Sequence, residues 1–124
     1  MTRINCIPVT ELNDKMLLAE YRELPRISTL IWKRYDDNLK ITVHPTPSDE
    51  YVLGKGHVIF FYDKGEYLRK RFEEQIVPEM HRRGFVTNFT TYRKHPSGLN
   101  KDWVPDDKAK TINRERIQER LKKS

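Results

Sequence analysis

Apolar positions recur at helical spacing in three stretches of this chain, divided by irregular polar segments. The first covers residues 10 to 35. Leu12, Met16, Leu17, Leu18, Ala19 and Tyr21 form a broad apolar stripe, which Leu24, Ile27, Leu30 and Ile31 continue. Thr10 is the expected N-cap, with Glu11 and Asp14 in the favourable early turns. Pro25 has no N–H to offer the Tyr21 carbonyl, so a bend is expected there. The second stretch begins at VIFFY, residues 58 to 62, which is continuously apolar and has to be buried. With no second convincing strand to pair with, it is expected as an extended segment or a helical lead-in. Asp63 and Glu66 have capping-box spacing. Tyr67, Leu68, Phe72, Ile76, Val77 and Met80 then carry an apolar face, interrupted by a conflicting Pro78 that should kink it. The basic turn His81, Arg82, Arg83 and the following Gly84 read as a helix end. The third stretch opens at Pro105-Asp106-Asp107 and runs to the end through Ala109, Ile112, Ile117 and Leu121.

The connecting segments lack a period. HPTPSDE, within residues 36 to 57, holds two prolines and bars a long helix. LGKGH does not have phosphate-loop spacing. It reads as a turn needing positive φ at Gly54 or Gly56, or as a loop whose amides face a DNA phosphate. Residues 85 to 104 hold Pro96, Ser97 and Gly98. The pattern predicts an all-α chain, and 124 residues without repeats predict one domain over residues 1–124.

Composition narrows the function. Only 36% of residues are hydrophobic while 34% are charged, so the core is modest, although two Trp, six Tyr and five Phe give it substance. The formal charge of +6 points to a polyanion such as nucleic acid. A single cysteine, Cys6, rules out an internal disulfide, fits a reducing compartment and is expected as a buried thiol. Neither a signal peptide nor an apolar run of membrane length is visible, so a cytoplasmic, nucleic-acid-associated protein with no membrane partner is expected. His44, His57, His81 and His95 lack ligand spacing, and no metal site is expected.

Two short stretches carry the candidate chemistry. AEYRELPR sets Glu23 among Arg22, Pro25 and Arg26. A surface salt-bridge cluster is the bland reading. The start, MTRIN, supports a different one. A small residue after Met favours removal of Met1, which exposes the amine of Thr2. An α-amino group has a pKa of about 7.7–8 against about 10.4 for lysine, so much more of it is free base at neutral pH. Such an amine forms imines without an elaborate pocket, and a nearby carboxylate can hold it and move protons. Arg69, Lys70 and Arg71 read as a solvated helix face or a DNA contact. Arg116 and Arg120 share a face of the last helix.

MTRIN, AEYRELPR, LGKGHVIFFYDK, EYLRKR and HRRGF, in this order and spacing, together resemble the pyrimidine-dimer DNA glycosylases of the phage type, the endonuclease V family. The resemblance runs from residue 1 to about 124 and is weakest over 36 to 50 and 86 to 102. It implies a single compact domain of three helices with long loops, with the N-terminal segment threaded between them. It implies excision of the 5′ base of a cyclobutane pyrimidine dimer, followed by strand cleavage at the abasic site. Thr2 would supply the nucleophilic amine and Glu23 the catalytic carboxylate. Arg3, Arg22, Arg26, Arg116 and Arg120 would bind DNA. Neither metal nor organic cofactor is implied, and the expected partner is lesion-bearing duplex DNA met by a monomer of viral or bacterial origin. Met16 stands where the phage enzyme has His, and no aromatic, Tyr-rich tail follows LKKS. That tail is linked with dimer recognition. Two alternatives therefore stand beside the dimer glycosylase: the same imine chemistry on another damaged base or on RNA, and a non-catalytic nucleic-acid-binding module.

Overall fold

The computed structural model describes residues 4–36, 51, 57–96 and 98–123. Residues His44, Gly54 and Gly56, and with them the expectations for HPTPSDE and LGKGH, lie outside the described residues, as do Thr2 and Arg3. The first helix, α1, is Asp14–Asp36. A single turn, α2, is His57–Phe60. Gly65–Lys70, Arg71–Ile76 and Val77–Arg82 follow one another without a break and form α3. Asp107–Lys123 is α4. Among the described residues the only β pairing is an isolated bridge between Lys64 and Asn100. The all-α architecture of three principal helices with long connections is the one predicted.

Boundaries moved where tertiary or neighbouring groups satisfied helix ends better than the expected caps. Thr10 falls in a 3₁₀ turn, Val9–Glu11. Asn13 is the residue that caps α1, its Oδ1 accepting the Met16 N–H at 2.8 Å, a bond contributing about 1 kcal/mol. Asp63 does not cap α3 either. The Gly65 and Tyr67 N–H groups donate to the Leu99 and Lys101 carbonyls at 3.0 and 3.3 Å, so a distant loop satisfies the first turn. That approach requires glycine at position 65, where a Cβ would overlap the Asn100 side chain. The expected ends hold elsewhere. Gly84 has φ 86°, and the Phe85 and Gly84 N–H groups close back on the Met80 and His81 carbonyls. Asp106 Oδ1 accepts the Ala109 N–H at 2.8 Å.

The prolines are absorbed differently. α1 runs on through Pro25. Ahead of Pro78, α3 widens into a π-helical segment, Arg71–Ile76, whose end is marked by the Val77 N–H reaching the Phe72 carbonyl five residues back. A wider turn is one way to accommodate the hydrogen bond a proline cannot donate.

One core unites these elements. α1 buries Leu17, Tyr21, Leu24, Ile27 and Ile31, and α3 buries Leu68, Phe72, Ile76 and Met80. Burying each such side chain contributes roughly 1.5–3 kcal/mol. VIFFY forms α2 and the turn after it, and Phe60, Phe61 and Tyr62 are buried as expected. Trp103 closes a second aromatic group with Tyr51, Phe60 and Tyr67, its ring centroids 4.9 to 5.9 Å from theirs. Between these layers runs the N-terminal segment. Ile4, Asn5, Cys6 and Ile7 are all buried, the threading that the family resemblance implied.

Candidate nucleic-acid interface and active site

α1 supplies the candidate interface because its apolar stripe faces α3 and leaves one stripe free. Lys15, Ala19, Arg22, Arg26, Thr29 and Lys33 recur at helical spacing and all are exposed. Among the described residues, none of these four cations forms an ion pair with a carboxylate. Glu23 sits at the margin of the stripe, half-buried. It makes no ion pair with Arg22 or Arg26, so the surface salt-bridge reading of this trio is not the arrangement found. Among the described residues these four cations therefore stand on one helical line without a carboxylate partner.

A strap completes this face. Residues 88 to 94 run along α1, and three side chains of that helix hold them. Tyr21 Oη accepts the Asn88 and Phe89 N–H groups at 3.0 and 3.1 Å and donates to the Phe89 carbonyl at 2.8 Å. Ser28 Oγ donates to the Arg93 carbonyl at 2.7 Å, and Trp32 Nε1 to the Lys94 carbonyl at 2.6 Å. The Phe89 ring stacks on Tyr21 at 4.7 Å. The Arg93 guanidinium lies 4.5 Å over the Trp32 ring, which leaves its positive charge at the surface beside the α1 cations.

The N-terminal segment is fastened on every side. The Ile4 N–H donates to His57 Nε2 at 2.7 Å, and Tyr51 Oη donates to the Ile4 carbonyl at 3.0 Å. Asn5 Nδ2 donates to Glu20 Oε1 at 2.7 Å, and Asn5 Oδ1 accepts from Asn113 Nδ2 at 2.8 Å. The Cys6 N–H donates to Asn113 Oδ1 at 2.8 Å. Arg71 donates to the Ile7 carbonyl at 2.7 Å and to Glu20 Oε2 at 2.6 Å. Arg71 and Glu20 are 2% and 1% exposed, so this is a buried ion pair. Burial by itself would lower the Arg71 pKa, but the Glu20 carboxylate more than offsets this and the guanidinium stays charged. The same burial pushes the Cys6 thiol up to about 11, which makes it an inert core group as expected.

Arg71 corrects the reading of Arg69-Lys70-Arg71 as a solvated face or DNA contact. Arg69 is occupied by Glu66, Glu73 and Glu74, Lys70 by Asp102 at 2.7 Å, and Arg71 by the core. Glu20, Arg71 and Asn113 were missed as a set. Each carried a signal: it lies on a buried helix face, Glu20 between Leu17 and Leu24, Arg71 between Leu68 and Phe72, Asn113 between Ala109 and Ile117. Of the basic pair on α4, Arg116 is half-buried and faces Glu119 at 3.6 Å. Arg120 is exposed. The described histidines have hydrogen-bonding roles: besides His57, His81 bonds with Thr87 at 2.9 Å, and His95 with Tyr92 and the Tyr62 carbonyl. Burial pushes the His95 pKa down. Among the described residues no cluster of three His, Cys, Asp or Glu could hold a metal, and no helix is long and apolar enough to cross a membrane.

A basic helical stripe with a carboxylate at its margin and a tightly anchored N-terminal segment are the features that distinguish this fold. The family model described as pyrimidine dimer DNA glycosylase matches residues 1–95. That match takes in the N-terminal segment, α1, α2, α3 and the strap, and stops before α4. On this evidence the chain belongs to the pyrimidine dimer DNA glycosylase family, enzymes that act on DNA.

Proposed function

We propose that this glycosylase is bifunctional and works through an imine made by its own N-terminus. In this reading Met1 is removed and the Thr2 amine attacks C1′ of the 5′ nucleotide of a cyclobutane pyrimidine dimer. The C1′–N1 bond breaks, and the base stays tethered to its dimer partner. The sugar opens to an imine between C1′ and the Thr2 nitrogen. The imine acidifies a C2′ proton; its loss expels the 3′ phosphate by β-elimination, and water then releases the enzyme. Glu23 stabilises positive charge developing on the sugar and shuttles protons. Arg3, Arg22 and Arg26 hold phosphates beside the lesion, with Arg116 and Arg120 as further basic contacts.

The observation that carries this reading is the bond between Asn5 and Glu20. Glu20 precedes Glu23 by three residues on α1, one turn away. The buried N-terminal segment is thus tied to the helix turn next to the candidate carboxylate. Thr2 is three residues before Asn5, a covalent reach of about 10 Å. Borohydride trapping on duplex DNA with an abasic site tests the proposal. A covalent adduct that maps to Thr2, and that disappears when Met1 is retained or the terminus is acetylated, is the expected result. An adduct on a lysine such as Lys15, with Thr2 free, would overturn it.

A further inference from the structure

An N-terminal amine is a demanding nucleophile to position, because ordering a chain end costs conformational entropy. Two aromatic side chains address this at residue 4. His57, the first residue of α2, accepts the Ile4 N–H through Nε2, and Tyr51 donates its hydroxyl to the Ile4 carbonyl. Both residues are buried, 2% and 4% exposed. Their rings pack edge to face at 5.5 Å and 83°, and both abut Phe61 in the same manner. Neither ring can swing without disturbing the aromatic core. The Ile4 residue is therefore gripped at its donor and its acceptor by two groups that brace each other.

We infer that His57 and Tyr51 are positioning residues for catalysis, a clamp that aims the N-terminal amine. The inference rests on the reading of Thr2 as nucleophile. Thr2 is two residues from Ile4, so clamping Ile4 confines the amine to a neighbourhood of about 7 Å. Nε2 can accept only when the imidazole carries its proton on Nδ1, so the clamp uses one tautomer of His57. Neither residue touches the sugar in this scheme. Their effect is on orientation, where a displacement of about 1 Å costs on the order of 100-fold in rate.

The test compares Tyr51→Phe, His57→Leu and His57→Gln with the parent protein. Two quantities are measured: the single-turnover rate of borohydride trapping on abasic duplex, and the dissociation constant for a duplex carrying the unreactive tetrahydrofuran analogue. Tyr51→Phe removes only a hydroxyl, and His57→Leu removes the acceptor. Each is expected to slow trapping by about tenfold or more, while binding to the analogue changes by less than about twofold. His57→Gln keeps an amide oxygen able to accept the Ile4 N–H and should recover most of the rate. Unchanged trapping in Tyr51→Phe and His57→Leu overturns the inference. So does a rate loss that tracks the unfolded fraction in a thermal melt, or one that His57→Gln shares in full. If His57→Leu fails to fold, Tyr51→Phe decides. The adduct position in the parent protein tests the Thr2 reading separately, so an adduct on Thr2 with unaffected variants removes the clamp alone.

Discussion

Glu23 and Thr2 divide the proposed reaction between them, and their contributions are separable at the level of single atoms. Breaking a glycosidic bond builds positive charge on the sugar, which an oriented carboxylate stabilises. An abasic site already presents an aldehyde, and a free amine reacts with it readily. Glu23→Gln preserves shape and removes charge. It is expected to lose base excision on dimer-containing DNA by about 100-fold or more, with a much smaller loss of trapping at an abasic site. Because Glu23 makes no ion pair among the described residues, its melting temperature should hardly move. Side-by-side rates on the two substrates, with a thermal melt, check this. Equal losses on both substrates together with a lowered melt would instead return Glu23 to a structural role.

At the scale of elements, the packing of α1 on α3 depends on a charge pair in an otherwise apolar seam. Arg71 and Glu20 satisfy each other and also hold the N-terminal segment through Ile7 and Asn5. Arg71→Met leaves a buried carboxylate without its cation. Such a change costs about 3–5 kcal/mol, read as a lower urea midpoint. Glu20→Leu combined with Arg71→Met removes both charges and should be more stable than Arg71→Met alone. A double variant less stable than the single one would show that the pair's worth lies in its bonds to the N-terminal segment rather than in mutual neutralisation.

For the molecule as a whole, the excess positive charge is unevenly spent. Carboxylates occupy Arg69, Lys70, Arg71, Arg82, Arg83 and Arg114. Among the described residues Lys15, Arg22, Arg26 and Lys33 are left without a carboxylate along α1, and Arg93 lies over Trp32 of the same helix. Binding to DNA should therefore weaken steeply with salt, and the α1 cations should account for much of that slope. Replacing Arg26 and Lys33 together by Gln is expected to reduce the slope of log affinity against log salt by about 2. Replacing Arg69 and Lys70 by Gln should leave it nearly unchanged. A slope unaffected by the first pair would move the DNA interface off α1.

Local sequence was enough for the helical class, for Gly84 and Asp106 at helix ends, for the burial of Phe60, Phe61 and Tyr62, and for the family. Periodicity, caps and turn residues act within a few positions and can be read there. That Arg22 and Arg26 share one exposed stripe of α1 was equally legible, since residues four apart lie on the same helix face. Which partner each core charge would meet was not. The bonds that join Arg71 to Glu20, Ile4 to His57 and Cys6 to Asn113 span 51, 53 and 107 residues. The carbonyls that cap α3 likewise come from the 99–101 loop. The apolar helix face around Arg71 marks it for burial, but nothing local identifies the carboxylate on another helix that it will meet. Only the packed chain brings those partners within hydrogen-bond distance, and burial then makes each polar group dependent on the other.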